Sequence, residues 1–188
     1  MKVNLPDNLD DVTLGQYQKY MLLDAESENY VDEIFSLFTN IPLEQVKDVN
    51  KKQYDEVLQQ IYNALQHEGT FKNRFVIDGI EFGLIPNFDK ITGGEYVDLV
   101  SSSKEVNGYN PELITLIAVL YRPITKKDKF GNYQIETYNG TKNHEKQIAK
   151  LPMSIVNGCL GFFLSLSNDL ENHLQTFTEE EQPRELVV

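Results

Sequence analysis

Apolar residues recur at three- and four-residue spacing through the first third of the chain, the period of helices with one buried face. They predict a first helix from Leu14 to about Asp24. A second is predicted over Tyr30–Phe38, with Ile34, Phe35, Leu37 and Phe38 crowded on one side. Pro42 opens a short turn. A longer helix is predicted from Lys51 to Glu68, with Tyr54, Val57, Leu58, Ile61, Tyr62 and Leu65 on one face and Gly69 as its left-handed stop.

The pattern then changes. "FKNRFVIDGIEFGLI" holds two β-rich runs around Asp78-Gly79, a strong hairpin signal. A helix is expected near Gly93–Ser101. Another starts at Asn110-Pro111-Glu112, with an N-cap followed by proline at the first helical position. That helix, "ELITLIAVLY", is apolar nearly all round and therefore central, with Pro123 as its stop. "ITKKDKFGNYQIETY" reads as a second hairpin or an exposed loop, turning at Lys129–Asn132. After a lysine-rich polar stretch, Pro152 leads a long last helix from Met153 to about Gln175. Gly158, Cys159, Gly161, Ser165 and Ser167 lie among its large apolar residues, and such small residues let another chain segment pack closely. The fold class expected is α+β and mostly helical: a helical domain with one or two β-hairpins and a long C-terminal core helix. One compact domain over 1–177 is expected, helical over 1–69 and hairpin plus helices over 70–177. An acidic tail, 178–188, follows it.

One stretch is nearly said twice. "LDDVTLGQY" at Leu9–Tyr17 and "FDKITGGEY" at Phe88–Tyr96 share an apolar residue, Asp, Val or Ile, Thr, Gly, an amide or acid, and Tyr, offset by 79 positions. Thr13 with Gln16, and Thr92 with Glu95, are capping boxes, in which each side chain satisfies the other's orphan amide. Val12 with Tyr17, and Ile91 with Tyr96, are placed to staple the two helix entries. Gly15 and Gly94 weaken a helix, so close approach of another backbone is the reason to expect them there. The intervening residues are helical on one side and β-containing on the other, which disfavours a duplicated unit.

Composition narrows the function. The chain has 188 residues and a net charge of −12. Phosphate recognition needs a basic surface, so direct nucleic-acid binding is not expected, nor attraction to an anionic membrane. The most apolar stretches, Leu113–Leu120 and Ile155–Leu166, fall short of the roughly 20 residues of a membrane span. Cys159 is the only cysteine, so no intrachain disulfide forms and a reducing cytoplasm is the natural place of synthesis.

No motif announces a reaction. His67, His144 and His173 are far apart and no metal-ligand spacing exists, so no metal, cofactor or catalytic residue is assigned. Cys159 reads as a buried small hydrophobe. Glu81, Asp89, Glu95 and Asp98 are the one acidic group that could supply a carboxylate pair, but Glu95 is already accounted for by its cap. Lys126, Lys127 and Lys129 form the only basic cluster, a solvated loop or a surface for an acidic partner. Arg122, before Pro123, is placed to cap carbonyls or pair with a buried acid.

Taken together, "TGGEYVDL" (Thr92–Leu99), "YRPI" (Tyr121–Ile124), "IETYNG" (Ile135–Gly140) and the Pro-led "PMSIVNGCLGFF" (Pro152–Phe163) resemble a family of small proteins of tailed bacteriophages. The family belongs to the morphogenesis gene clusters of phages of Bacteroidota, including crAss-like phages, and of some marine phages. The resemblance covers mainly 71–174, and "LPDNLDDVTLGQYQKY" is similar to the family's N-terminal element. Ser154 departs from it, standing where an acid is expected.

The resemblance implies no catalytic residue and no cofactor. It implies a virion protein of the portal–tail region, a ring or connector subunit acting through contacts with portal, tail or ring proteins and with copies of itself. It would be made in the host bacterial cytoplasm and located in the virion neck or tail. The alternative is a tail assembly chaperone absent from the mature virion; a remote alternative is an enzyme with a carboxylate pair. The residues expected at partner contacts are Gly158, Gly161, Lys126, Lys127, Lys129 and the tail residues Glu179, Glu180, Glu181, Leu186 and Val187. The tail is too acidic to order itself without a partner.

Overall fold

A computed structural model describes residues 5–66, 69–105 and 110–162. The architecture is α+β. The helices are α1 (Leu14–Met21), α2 (Tyr30–Thr39), α3 (Leu43–Val46), α4 (Lys51–Leu65), α5 (Gly93–Ser102), α6 (Leu113–Leu120), α7 (Glu145–Ile148) and α8, helical over 153–162. Strands β1 (Arg74–Ile77), β2 (Ile80–Leu84), β3 (Tyr121–Lys127) and β4 (Tyr133–Ile135) form one antiparallel sheet in the order β1-β2-β3-β4. The hairpin expected around Asp78-Gly79 exists, the stretch read as a second hairpin or a loop is the hairpin β3–β4, and β2 beside β3 joins them. The long C-terminal core helix is described only as far as residue 162; the remainder of that expectation, with His173 and the whole acidic tail, lies outside the described residues, as does His67.

Asp78 and Gly79 both take positive φ, 51° and 77°, as a two-residue hairpin turn twisted to match its strands demands. Both capping boxes are present at Thr13–Gln16 and Thr92–Glu95. The first staple has Val12 and Tyr17 in or against the core. The second does not repeat it, because Ile91 packs inward while Tyr96 is left exposed. The two glycines also differ. A Cβ on Gly15 would lie 3.0 Å from the Ala149 carbonyl oxygen, which accepts the Gly15 N–H; Gly94 has nothing closer than 3.9 Å. Close backbone approach explains the first glycine and not the second.

Two expected helix stops work differently. The long helix ends at Leu65, and Gly69 does not take a left-handed φ. Gly69 lies where α8 crosses: a Cβ there would sit 2.3 Å from the Gly158 nitrogen. Pro123 lies inside β3, three residues past the end of α6. It holds Arg122 extended, as the residue before proline must be, so α6 passes into β3 without a loop. Gly83 and Arg122 are paired and Ile85 N–H reaches Leu120 O, so alternation turns the Pro123 nitrogen away from β2. The β2–β3 ladder therefore loses no hydrogen bond to the proline.

One hydrophobic cluster runs from Leu9 to Cys159 and takes residues from α2, α4, α6, α8 and the sheet. The segment entering α1 and the segment entering α8 are tied across it. Leu14 N–H donates to Leu151 O, Met153 N–H to Val12 O, and the Ser154 hydroxyl to the Asp10 carboxylate. The Ala149 and Leu151 carbonyls thus take two orphan amides of α1, those of Gly15 and Leu14.

Candidate protein-contact site

Three separated sequence segments, Thr92–Leu99, Tyr121–Ile124 and Ile135–Gly140, meet in one polar cluster. Glu95 comes from the first turn of α5, Arg122 from the α6–β3 junction, and Tyr138 from the segment after β4. Glu95 Oε1 lies 2.5 Å from Arg122 Nη2, with both residues buried (4% and 6% exposed). Its other oxygen accepts the Thr92 N–H at 2.6 Å, so one carboxylate completes both the cap and the ion pair. The Tyr138 ring covers the guanidinium, 5.3 Å from its carbon, and its hydroxyl donates to Asp98 Oδ2 at 2.5 Å. Among the described residues, Arg122 Nε and Nη1 have no hydrogen-bond partner.

Burial alone would raise the Glu95 carboxyl. The hydrogen bonds from Thr92 and the charge of Arg122 outweigh it and hold the group below the ordinary carboxylate value. Burial, then the bond to Asp98, pushes the Tyr138 phenol up. Arg122 therefore pairs with a buried acid, one of the two roles expected of it. The Tyr138–Asp98 contact was not foreseen, because nothing in sequence spacing links positions 40 residues apart.

The remaining acidic candidates have separate surroundings. Glu81 pairs with Lys127 across the sheet, and Asp89 sits in a helical turn, Phe88–Lys90, capped by Asn87. Burial pushes the fully enclosed Cys159 thiol up to about 11. His144 Nε2 is 2.7 Å from Glu136 Oε2. Among the described residues no group of three His, Cys, Asp or Glu could hold a metal ion, and no helix is long and apolar enough to cross a membrane.

The expected contact residues do not form one surface. A Cβ on Gly158 would sit 2.2 Å from the Thr70 carbonyl carbon, so the chain's own 70–71 segment fills that notch and Gly158 is not free for a partner. Gly161 has no described atom within 4 Å of such a Cβ. Lys127 is partly committed to Glu81, Lys129 stands 5.0 Å over the Phe130 ring, and Lys126 is exposed. Glu179, Glu180, Glu181, Leu186 and Val187 lie outside the described residues.

What the residue pattern left unmarked is the outer side of α5. Glu95 and Leu99 turn inward, whereas Tyr96, Val97 and Val100 are exposed at 59%, 62% and 44%. Three large side chains at one, three and four residues' spacing make an apolar stripe on a short helix. Compared with family profiles, curated proteins and solved structures, the chain matches none.

Proposed function

We propose that this chain is a non-catalytic structural protein of the portal–tail region of a tailed bacteriophage, a ring or connector subunit working through contacts with neighbouring phage proteins and with its own copies. The observation that supports this reading is the exposed stripe Tyr96, Val97 and Val100, held at a fixed angle by the Glu95–Arg122 pair beneath it. The "TGGEYVDL" segment thereby has two jobs. Its inward residues lock α5 to the sheet, and its outward residues offer apolar surface of the kind found at interfaces. The tail assembly chaperone remains the rival reading, since such a protein also displays apolar surface. Neither needs a cofactor, nucleic acid or membrane.

The test is a Tyr96→Asp, Val97→Asp double variant supplied in place of the normal chain during phage growth. Retained helicity with loss of finished tails is expected. Normal particle yield with a folded variant would count against the reading.

A further inference from the structure

We propose that the open edge of β1 receives the C-terminal segment Arg184–Val188 of a second copy of this chain as an added strand. This rests on the reading above that copies assemble, and it names the surface and the segment that join them.

The hydrogen-bond direction comes first. Leu84 N–H donates to Asn73 O, and the register pairs Arg74 with Gly83 and Val76 with Glu81. By alternation Asn73, Phe75 and Ile77 face β2, so the N–H and C=O of Arg74 and Val76 point away from the sheet. Among the described residues none of those groups has a partner, and Val76 is 64% exposed.

The two sheet edges are also treated differently. β4 has only three residues, and its pairing with β3 shifts register between Ile124 and Lys126. Short strands and bulges blunt an edge against pairing. β1 has four residues in unbroken register, with no proline and no bulge. It is the plain edge of the sheet.

Charge and side-chain pattern select the occupant. Exposed Lys72 lies two residues before β1 and Arg74, its guanidinium over the Tyr133 ring, begins it, in a chain whose net charge is −12. The C-terminal segment brings Glu179, Glu180, Glu181 and Glu185 against Arg184 alone, then ends Leu186, Val187, Val188. Paired with β1, Leu186 and Val188 would share one face of the sheet, and Val187 would take the other. Main-chain bonds would supply affinity and the apolar side chains the fit. A head-to-tail contact of this kind, repeated, closes a ring or grows a filament.

The experiment uses the full chain, its Val76→Pro and Lys72→Glu variants, and the synthetic peptide TEEEQPRELVV. Val76→Pro deletes an outward N–H without touching the β1–β2 ladder; Lys72→Glu sets a negative charge against the acidic segment at an exposed position and still folds should the proline not be accepted. Sedimentation should show concentration-dependent association, with hydrogen exchange slowed at Arg74 and Val76 in the associated form. Val76→Pro should weaken association roughly tenfold or more, the loss of a backbone hydrogen bond or two, and Lys72→Glu should weaken it by charge repulsion that salt reduces. The peptide should dissociate the assemblies, and the same peptide N-methylated at both Leu186 and Val187, which removes an N–H in either register, should not. Unchanged association in folded variants, equal competition by the methylated peptide, a monomer at all concentrations, or protection independent of concentration would each overturn the proposal. The presence of the chain in phage particles is measured separately, so failure of edge pairing and failure of the phage reading are distinguishable.

Discussion

Glu95 and Arg122 form a buried ion pair, 2.5 Å between Oε1 and Nη2, that joins the start of α5 to the start of β3. Breaking a buried pair from one side leaves the other charge stranded. Arg122→Leu is therefore expected to destabilise the chain by about 3–5 kcal/mol. Adding Glu95→Leu to that variant should recover much of the loss. Urea unfolding of both proteins checks this; a double variant worse than the single would show that the pair itself is strongly stabilising.

The same pair sets an acid limit. The Glu95 carboxyl is held below its ordinary value in the folded chain, so the unfolded chain binds its proton more readily. The stabilisation is then fully present above the unfolded value of about 4.3 and is lost as pH falls through the lower folded value. Chemical unfolding between pH 6 and 3 should show stability falling on the acid side. In Glu95→Gln that part of the fall should be missing. Equal acid slopes would remove Glu95 from the account.

The two helix entries predict opposite responses to one substitution. Gly94→Ala meets only ordinary contact and should stabilise α5 by roughly 0.5–1 kcal/mol. Gly15→Ala pushes on the Ala149 carbonyl and should destabilise. Thr92→Ala and Thr13→Ala should each cost about 1 kcal/mol as lost caps. Thermal unfolding of the four variants decides; the same sign at both glycines would contradict the geometry.

Gly158 and Gly161, alike in the pattern, should also part. Gly158→Ala drives a methyl into the backbone of Thr70 and Phe71 and should unfold or severely weaken the chain, whereas Gly161→Ala should fold normally. Soluble yield and melting temperature are the readouts.

The Ser154 hydroxyl donates to the Asp10 carboxylate at a largely buried position. Ser154→Asp would place two carboxylates together there and should destabilise at neutral pH. Adding Asp10→Asn should relieve it. No rescue would mean that size, not charge, excludes the acid.

What the residues made legible was local chemistry. The capping boxes and the Asp78-Gly79 turn depend on neighbours a few positions apart, and they stand where the pattern put them; the apolar α6 exists but begins at Leu113 with Glu112 at its cap position, not at Pro111 behind Asn110. Contacts set by tertiary approach were not legible. Nothing near Gly69 in sequence shows α8 crossing it, and nothing near Pro123 shows that β2 pairs on the side where its nitrogen is not needed. The site divided in the same way. Arg122 pairing with a buried acid was readable from its place beside an apolar helix. That its partner was the capping Glu95, and that Tyr138 covers the guanidinium, required the fold. The exposure of Tyr96 was misread because the repeated pattern suggested a staple that only the first copy makes.

The most direct measurement of the central claim is quantitative mass spectrometry of purified phage particles, made beside the lysate from which they came. A ring or connector subunit should appear in the particles at a fixed, whole-number ratio to the portal protein. Its presence in the lysate with absence from the particles would contradict the account and leave the assembly chaperone in its place.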